Sequence, residues 1–299
     1  MVLILLTLLI AVVAGLVVFV VARRWPRVDP GAPTLTQRAI EVEVHKHRGL
    51  RAFLDSRFDT TVLTGFGLTA ALAAIIIGAL CIGLLLIMIH TNTGLARWDH
   101  SASNFGAKHA TTLSTHLLND LSQLGGAYVI VPLAFIVGVV ETVRLRSRSV
   151  FAFLILLVGG QFLVANIIKS LVGRARPTID QLSGFSGSSF PSGHATAAAA
   201  CLAGFALVMG RRRSARIKAL FSSIAVGLAV AVAFTRVWLG VHWLTDVLAG
   251  LSLGWAWFAL SSIAFGGRRL RFGAPVEAAE QVSTPPSDEP ADSSHARKD

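Results

Sequence analysis

The chain carries a series of apolar runs, each about as long as the ~20 residues a helix needs to cross a bilayer. The first covers residues 2–22, and five to six further spans follow, at about 62–90, 126–143, 150–168, 194–210, 218–234 and 243–265. Hydrophobic residues make up 54% of the 299 positions and charged residues 14%, where a soluble domain carries roughly 25% charge. An ordinary cytosolic enzyme is excluded, as is disorder for all but the ends. The expected fold is all-α: a polytopic membrane helix bundle with a six-helix core and one extra N-terminal transmembrane helix.

The first run has nothing basic before it, and Arg23, Arg24 and Arg27 follow it. A cleaved signal peptide has the reverse flank pattern, so residues 1–24 read as an uncleaved anchor with its N-terminus outside. Residues 25–60 form a basic linker opened by Pro26, Pro30, Gly31 and Pro33. Its mixed-charge stretch (Glu41, Glu43, Lys46, Arg48, Arg51) fits an amphipathic surface helix. His45 and His47, two apart, do not share a helix face and read as solvated. The membrane core is expected over 61–267. The Pro-, Ser- and acid-rich stretch 273–299 is expected to be a disordered cytoplasmic tail. Cys81 and Cys201 fall inside apolar runs and read as core residues. Trp238 and Trp243 edge spans, as interfacial anchors do.

A net charge of +11 could signal nucleic acid or an anionic membrane surface. The placement of the charges decides. Lys and Arg crowd loops 144–148, 211–218 and 268–271 and the first linker, which the spans put on one side. The positive-inside rule makes that side cytoplasmic. The other side keeps only Arg97, Lys108, Lys169, Arg174, Arg176 and Arg236. The positive charge is therefore mainly a topology signal, and nucleic acid is not an expected partner.

Three segments bring chemistry to that second side. Lys169-Ser-Leu-Val-Gly-Arg174-Ala-Arg176-Pro177 closes the fourth span, and Phe190-Pro191-Ser192-Gly193-His194 opens the fifth. Thr235-Arg236, then His242 and Asp246, join the sixth and seventh. Lys169, Arg174, Arg176 and Arg236 supply fixed positive charge, and guanidinium forks match phosphate oxygens. A Ser- and Gly-rich loop, 183–189, leads through Ser192 and Gly193 into a helix N-terminus, whose free N–H groups and dipole suit an anion. The set has the character of a phosphate cradle. One of the two histidines, His194 and His242, can attack phosphorus while the other protonates the leaving oxygen. If the seventh helix starts at His242, Asp246 lies on the same face four residues on and can fix the imidazole tautomer.

These segments resemble the signature of the type 2 phosphatidic acid phosphatase superfamily: Lys-x6-Arg-Pro, Pro-Ser-Gly-His and Ser-Arg-x5-His-x3-Asp. They span about 30 positions, and Thr235 stands where the family has Ser. The resemblance implies that His242 is the nucleophile, forming a phosphohistidine, with Asp246 as its partner and His194 as the acid. It implies that Lys169, Arg176, Ser192, Gly193 and Arg236 bind the phosphoryl group. Arg174, at an unspecified motif position, joins that set with a less defined role. No metal or other cofactor is implied, and the outer face holds few carboxylates beyond the motifs: Asp99, Asp120 and Asp180. His100, His109 and His116 in the outer loop 91–125 lack tight metal-ligand spacing and read as solvated or capping. Asn119, Asp120 and Ser122 shape the approach to the third span.

The expected function is a multi-pass cell-membrane phosphatase with an exoplasmic site, acting on a lipid phosphate or diphosphate. A polyprenyl diphosphate such as undecaprenyl diphosphate is favoured. The alternatives are phosphatidylglycerol phosphate, phosphatidic acid or a phosphorylated prenyl sugar as substrate, a lipid phosphotransferase, or an anion-binding transporter. A transporter would place its site near the midplane, whereas these motifs sit at span ends.

Overall fold

The computed structural model describes residues 1–24, 65–178 and 187–266. The expected amphipathic linker helix and the expected disordered tail lie outside the described residues. Nine α-helices are described: α1 (Val2–Arg24), α2 (Gly65–Thr91), α3 (Trp98–His109), α4 (Thr112–Gln123), α5 (Ala127–Leu145), α6 (Ser149–Val172), α7 (Gly193–Gly210), α8 (Ala215–Trp238) and α9 (Leu244–Gly266). All but α3 and α4 are long and apolar enough to cross a membrane, and no strand occurs among the described residues. Their outward faces carry large apolar side chains such as Val12, Ile77, Phe135 and Ile155, the surface that lipid tails solvate. The fold is the expected all-α membrane bundle.

Three features differ from the sequence expectations. Helices α6 and α8 run past the apolar stretches 150–168 and 218–234, so Lys169 and Arg236 lie in their last turns. Hydropathy marks where the apolar side chains stop, whereas the backbone continues because the site pairs those polar ends. The stretch 91–125, expected as a loop, folds into a 3₁₀ turn (Gly94–Arg97) followed by α3 and α4. Thr111 caps α4 reciprocally: its hydroxyl accepts from the Ser114 N–H at 3.2 Å, and the Ser114 hydroxyl accepts from the Thr111 N–H at 2.8 Å. Trp238 and Trp243 are not interfacial anchors. Both are buried, and their indole N–H groups donate to Thr7 Oγ1 (3.1 Å) and to the Ala175 carbonyl (2.9 Å).

Helix α7 is the axis of the bundle, packed against α5, α6, α8 and α9. Its run of alanines, Ala195 and Ala197–200, is almost wholly buried. Opposite it, α9 presents Gly250 and Gly254, four residues apart. A methyl group at Gly250 would lie 2.6 Å from the Ser192 carbonyl oxygen and one at Gly254 2.5 Å from that of Thr196. Without a strong hydrophobic drive between helices in lipid, such small-residue contacts let the backbones pack closely. The consequence is positional: the N-termini of α7 and α9 lie side by side, and the Ser192 N–H donates to the Asp246 carbonyl at 3.0 Å.

Helix α1 docks on α8. Gly15 faces the Ser223 carbonyl and Gly227, Gly227 faces the Ala11 carbonyl, and Leu3 is fully buried beside the Thr7–Trp238 hydrogen bond. The end of the bundle opposite the motifs carries the basic loops. There Arg144 pairs with Glu141 at 2.5 Å and donates to the carbonyls of Val208, Met209 and Arg211 at the C-terminus of α7.

Candidate active site

The three motifs converge at one end of the bundle. Helix α6 ends on Lys169, whose Nζ donates to the Ser188 carbonyl at 3.0 Å. After the left-handed cap residue Gly173, the chain turns back across the top of α9 and brings Arg174 and Arg176 with it. Arg176 donates through Nε to the Gly187 carbonyl (2.9 Å) and through Nη1 to the Val241 carbonyl (2.8 Å). Arg236, in the last turn of α8, is fully buried, and its Nη1 donates to Ser122 Oγ of α4 at 3.0 Å. Ser192 caps the N-terminus of α7 by position only. Its hydroxyl is buried without a hydrogen-bond partner, and its carbonyl takes the first intrahelical bond, from Thr196 N–H. The backbone N–H groups of residues 193–195 precede that bond, at the positive end of the helix dipole.

His242 is not the first residue of a helix, as the i,i+4 reading assumed, because α9 begins at Leu244. The loop 239–243 wraps the C-terminus of α8 instead. Leu239 N–H donates to the Thr235 carbonyl, and Val241 and His242 N–H both donate to that of Arg236. Gly240 supplies the φ of +68° this reversal needs. Asp246 Oδ2 reaches back to accept from the Trp243 N–H at 2.9 Å, half of a capping box. This capping turn, rather than a shared helix face, sets His242 Nδ1 3.6 Å from Asp246 Oδ2.

Ser189 bridges the two. Its hydroxyl donates to Asp246 Oδ2 and lies 3.4 Å from His242 Nδ1, where a lone pair can accept. On the other side of the ring, Arg176 Nη1, a donor only, stands 3.4 Å from His242 Nε2. This arrangement favours the tautomer with the proton on Nδ1 and a free lone pair on Nε2. Burial pushes the His242 imidazole down to about 4, with Arg176 and Arg236 adding to the effect and Asp246 opposing it. Burial also holds Arg176 below the ordinary guanidinium value.

His194, the second residue of α7, sits within electrostatic reach of Arg236, His242, Lys169 and Arg176. A methyl group at Gly126, between α4 and α5, would lie 3.5 Å from its Nε2. Every residue expected in the site therefore lies at one end of the bundle, and both imidazoles face the same cluster. Arg174 stands apart. Its terminal nitrogens bind Asp246 Oδ1 (2.5 Å) and Asp99 Oδ2 (2.7 Å), and its guanidinium lies 5.5 Å from the Trp243 ring. Among the described residues Asp99 and Asp246 are the carboxylates paired there, so beside the neutral His242 the side chains of Lys169, Arg174, Arg176 and Arg236 leave an excess of two positive charges.

Sequence reasoning missed Ser189, Thr245 and Asp99. Ser189 was visible only as one serine of a loop, and Asp99 only as a scarce outer carboxylate. Ser122 was noted for the approach to the third span, but not for its bond to Arg236. Among the described residues no His, Cys, Asp and Glu group could hold a metal ion. His100 stacks near Trp243 with ring centroids 4.7 Å apart, and His109 Nδ1 lies 2.9 Å from the Phe105 carbonyl oxygen.

The chain is similar to known proteins. The profile of the PAP2 superfamily matches residues 149–269, the stretch holding all three motifs. Lipid A 1-phosphatase of Rhizobium johnstonii is 36% identical over 135 residues, 40% of this chain and 51% of that protein, so the chain spans about half of that relative's length. Phosphatidylglycerophosphatase B of Bacillus subtilis is 34% identical over 179 residues, 58% of this chain and 85% of that protein. The crystal structure of a PAP2-type phosphatidylglycerolphosphate phosphatase from Bacillus subtilis superposes with a TM-score of 0.62 at 29% identity, covering 66% of this chain and 98% of that one. A relative matched over most of its length, a profile match across the motif-bearing helices and one shared bundle architecture place this chain in the PAP2 superfamily.

Proposed function

We propose that the protein is a lipid phosphate phosphatase that works through a phosphohistidine on His242. The observation that carries this reading is the excess of positive charge beside His194 and His242, wholly buried at Arg236 and half-buried at Lys169 and Arg176. Cations of one sign gathered away from water are costly unless an anion joins them, and a phosphoryl group supplies two charges and the oxygens to be gripped. Lys169, Arg176 and Arg236 grip those oxygens, and the N–H groups at the start of α7 complete the cradle. The partnerless Ser192 hydroxyl donates to the same group.

In the first step, the lone pair on His242 Nε2 forms a bond to phosphorus as the ester P–O bond breaks. His194, protonated in the complex, gives its proton to the leaving oxygen. In the second step, His194 takes a proton from water. The resulting hydroxide forms a bond to phosphorus as the Nε2–P bond breaks, which releases inorganic phosphate and returns His242 to its neutral form. Asp246, directly and through Ser189, holds the Nδ1–H and stabilises the positive charge that develops on the ring.

The charge pattern supports an exoplasmic site. Arg23, Arg24, Arg144, Arg146, Arg148, Arg211, Arg212, Arg213, Arg216 and Lys218 gather at the opposite end of the bundle, which the positive-inside rule assigns to the cytoplasm. At the outer headgroup level a lipid keeps its tail in the bilayer while its phosphate enters the cradle. This placement favours a polyprenyl diphosphate, and the Bacillus relatives make phosphatidylglycerol phosphate its competitor.

A phosphate-release panel with purified protein tests the reading. Polyprenyl diphosphate, phosphatidylglycerol phosphate and phosphatidic acid are compared with a soluble sugar phosphate. At least one lipid should exceed the sugar by about tenfold or more in kcat/KM, with rates unchanged in EDTA. No release from any lipid would overturn the proposal. Single cysteines replacing His100 and Arg213, in a background without Cys81 and Cys201, test the sidedness: only the first should react with an impermeant maleimide from outside.

The depressed His242 value predicts a pH profile. A group held neutral down to about 4 is the competent base across the neutral range. It is lost only as pH falls through that value, since protonation removes the attacking lone pair. Corrected for the substrate's own ionisation near ~6, kcat/KM should stay level from pH 7 to about 5 and fall below it. An acid limb at the ordinary imidazole value of about 6.5 would show a solvated His242.

A further inference from the structure

We infer that Asp99 is a positioning residue for the reaction and that Arg174 is the charge through which it acts, holding Asp246 rather than binding phosphate. The inference rests on the phosphohistidine reading above.

Asp99 opens α3, outside the three motifs, and is 2% exposed. Its Oδ1 accepts from the Thr245 N–H at 2.9 Å, so it caps the first turn of α9 from another helix. Its Oδ2 accepts from Arg174 Nη2 and from Thr245 Oγ1, both at 2.7 Å. Arg174 Nη1 in turn donates to Thr245 Oγ1 (2.7 Å) and to Asp246 Oδ1 (2.5 Å). The Thr245 hydroxyl thus accepts from Arg174 and donates to Asp99, with no capacity wasted. Both terminal nitrogens of Arg174 are committed to carboxylates, one layer behind the cradle. Both oxygens of Asp246 are committed as well, Oδ1 to Arg174 and Oδ2 to the Trp243 N–H and Ser189.

The line of charges runs Asp99 minus, Arg174 plus, Asp246 minus, then His242. A lone guanidinium against Asp246 would fix the carboxylate but withdraw its negative potential from the imidazole. Asp99 draws on the same guanidinium from the far side. Asp246 therefore stays oriented and still offers charge to His242 Nδ1–H as the ring becomes positive. The outer helix α3 thereby becomes part of the catalytic frame.

Asp99→Asn removes the charge and keeps an acceptor for the Thr245 N–H. On a water-soluble short-chain phosphatidic acid it should lower kcat roughly 10- to 100-fold, the scale of a misplaced catalytic group, with KM changed less than about threefold. Arg174→Gln should also act on kcat, because it leaves two buried carboxylates facing each other. The double variant, which restores charge balance, should turn over faster than Arg174→Gln alone. Inorganic phosphate should inhibit all of them with a near-wild-type constant.

A wild-type kcat for Asp99→Asn, strictly multiplicative losses in the double variant, or an effect confined to KM and phosphate inhibition would overturn the inference. The last would make Arg174 a phosphate ligand. If Asp99→Asn does not fold, Arg174→Lys answers the same question: it keeps the charge but cannot bridge both carboxylates, so kcat should fall at constant KM. His242→Ala in the same assay separates the two readings. Turnover by that variant would sink the phosphohistidine mechanism. An inactive His242→Ala beside a fully active Asp99→Asn would sink only the role of Asp99.

Discussion

His242→Ala is expected to lower phosphate release by about 10⁴-fold or more, the scale seen when a nucleophile is removed from a preorganised site. The side chain is buried against Ser189, Arg176 and Asp246, and among the described residues no other imidazole is paired with a carboxylate. Removing it leaves Asp246 held by Arg174, Ser189 and the Trp243 N–H. The fold should therefore persist, and the variant should still bind inorganic phosphate. A rapid alkaline denaturing quench with radiolabelled substrate should show label on the wild-type protein and none on the variant. A variant that is folded and still turns over at more than about 1% of wild type would end the nucleophile assignment.

His194→Ala is expected to cost about 10²- to 10⁴-fold in kcat on an alkyl ester, the range of general acid–base catalysis. The size should depend on the leaving group. An alkoxide needs a proton as the P–O bond breaks, whereas a nitrophenolate does not, so a nitrophenyl phosphate should lose far less in the first step. Labelled phosphoenzyme should then accumulate, because the same imidazole is needed to activate water in the second step. Equal losses for every leaving group, without accumulation, would remove His194 from the proton-transfer role.

Much of this was legible in sequence for physical reasons. Apolar runs of bilayer length can only be helices, since lipid offers backbone groups no other partner; hence the spans were readable to within a few residues. The gathering of Lys169, Arg176, His194, Arg236 and His242 at one end was readable because such residues are costly at span ends unless they meet partners there. What escaped was the part held by polar contacts of low sequence signature. The α3–α4 pair is amphipathic and short, so no hydropathy window shows it. Asp99 meets Arg174 and Thr245 across 75 and 146 positions, a separation no local pattern encodes. The pairing of His242 with Asp246 was foreseen for the wrong reason, because periodicity does not reveal that α9 starts two residues later and is capped by its own aspartate. The tryptophans were misplaced because an aromatic at a span end looks the same whether it faces headgroups or a neighbouring helix.

The Gly15–Gly227 crossing and the Thr7–Trp238 bond have a consequence for biogenesis. Helix α1 leaves the ribosome some two hundred residues before α8, so its glycine face waits in the membrane without its mate while the intervening spans insert. Closing so long a loop is slow, and the last turn of α8, which carries Arg236, gains its Thr7–Trp238 bond only when that late docking occurs. Maturation of activity should therefore trail insertion of the polypeptide, with the earliest helix among the last to find its place.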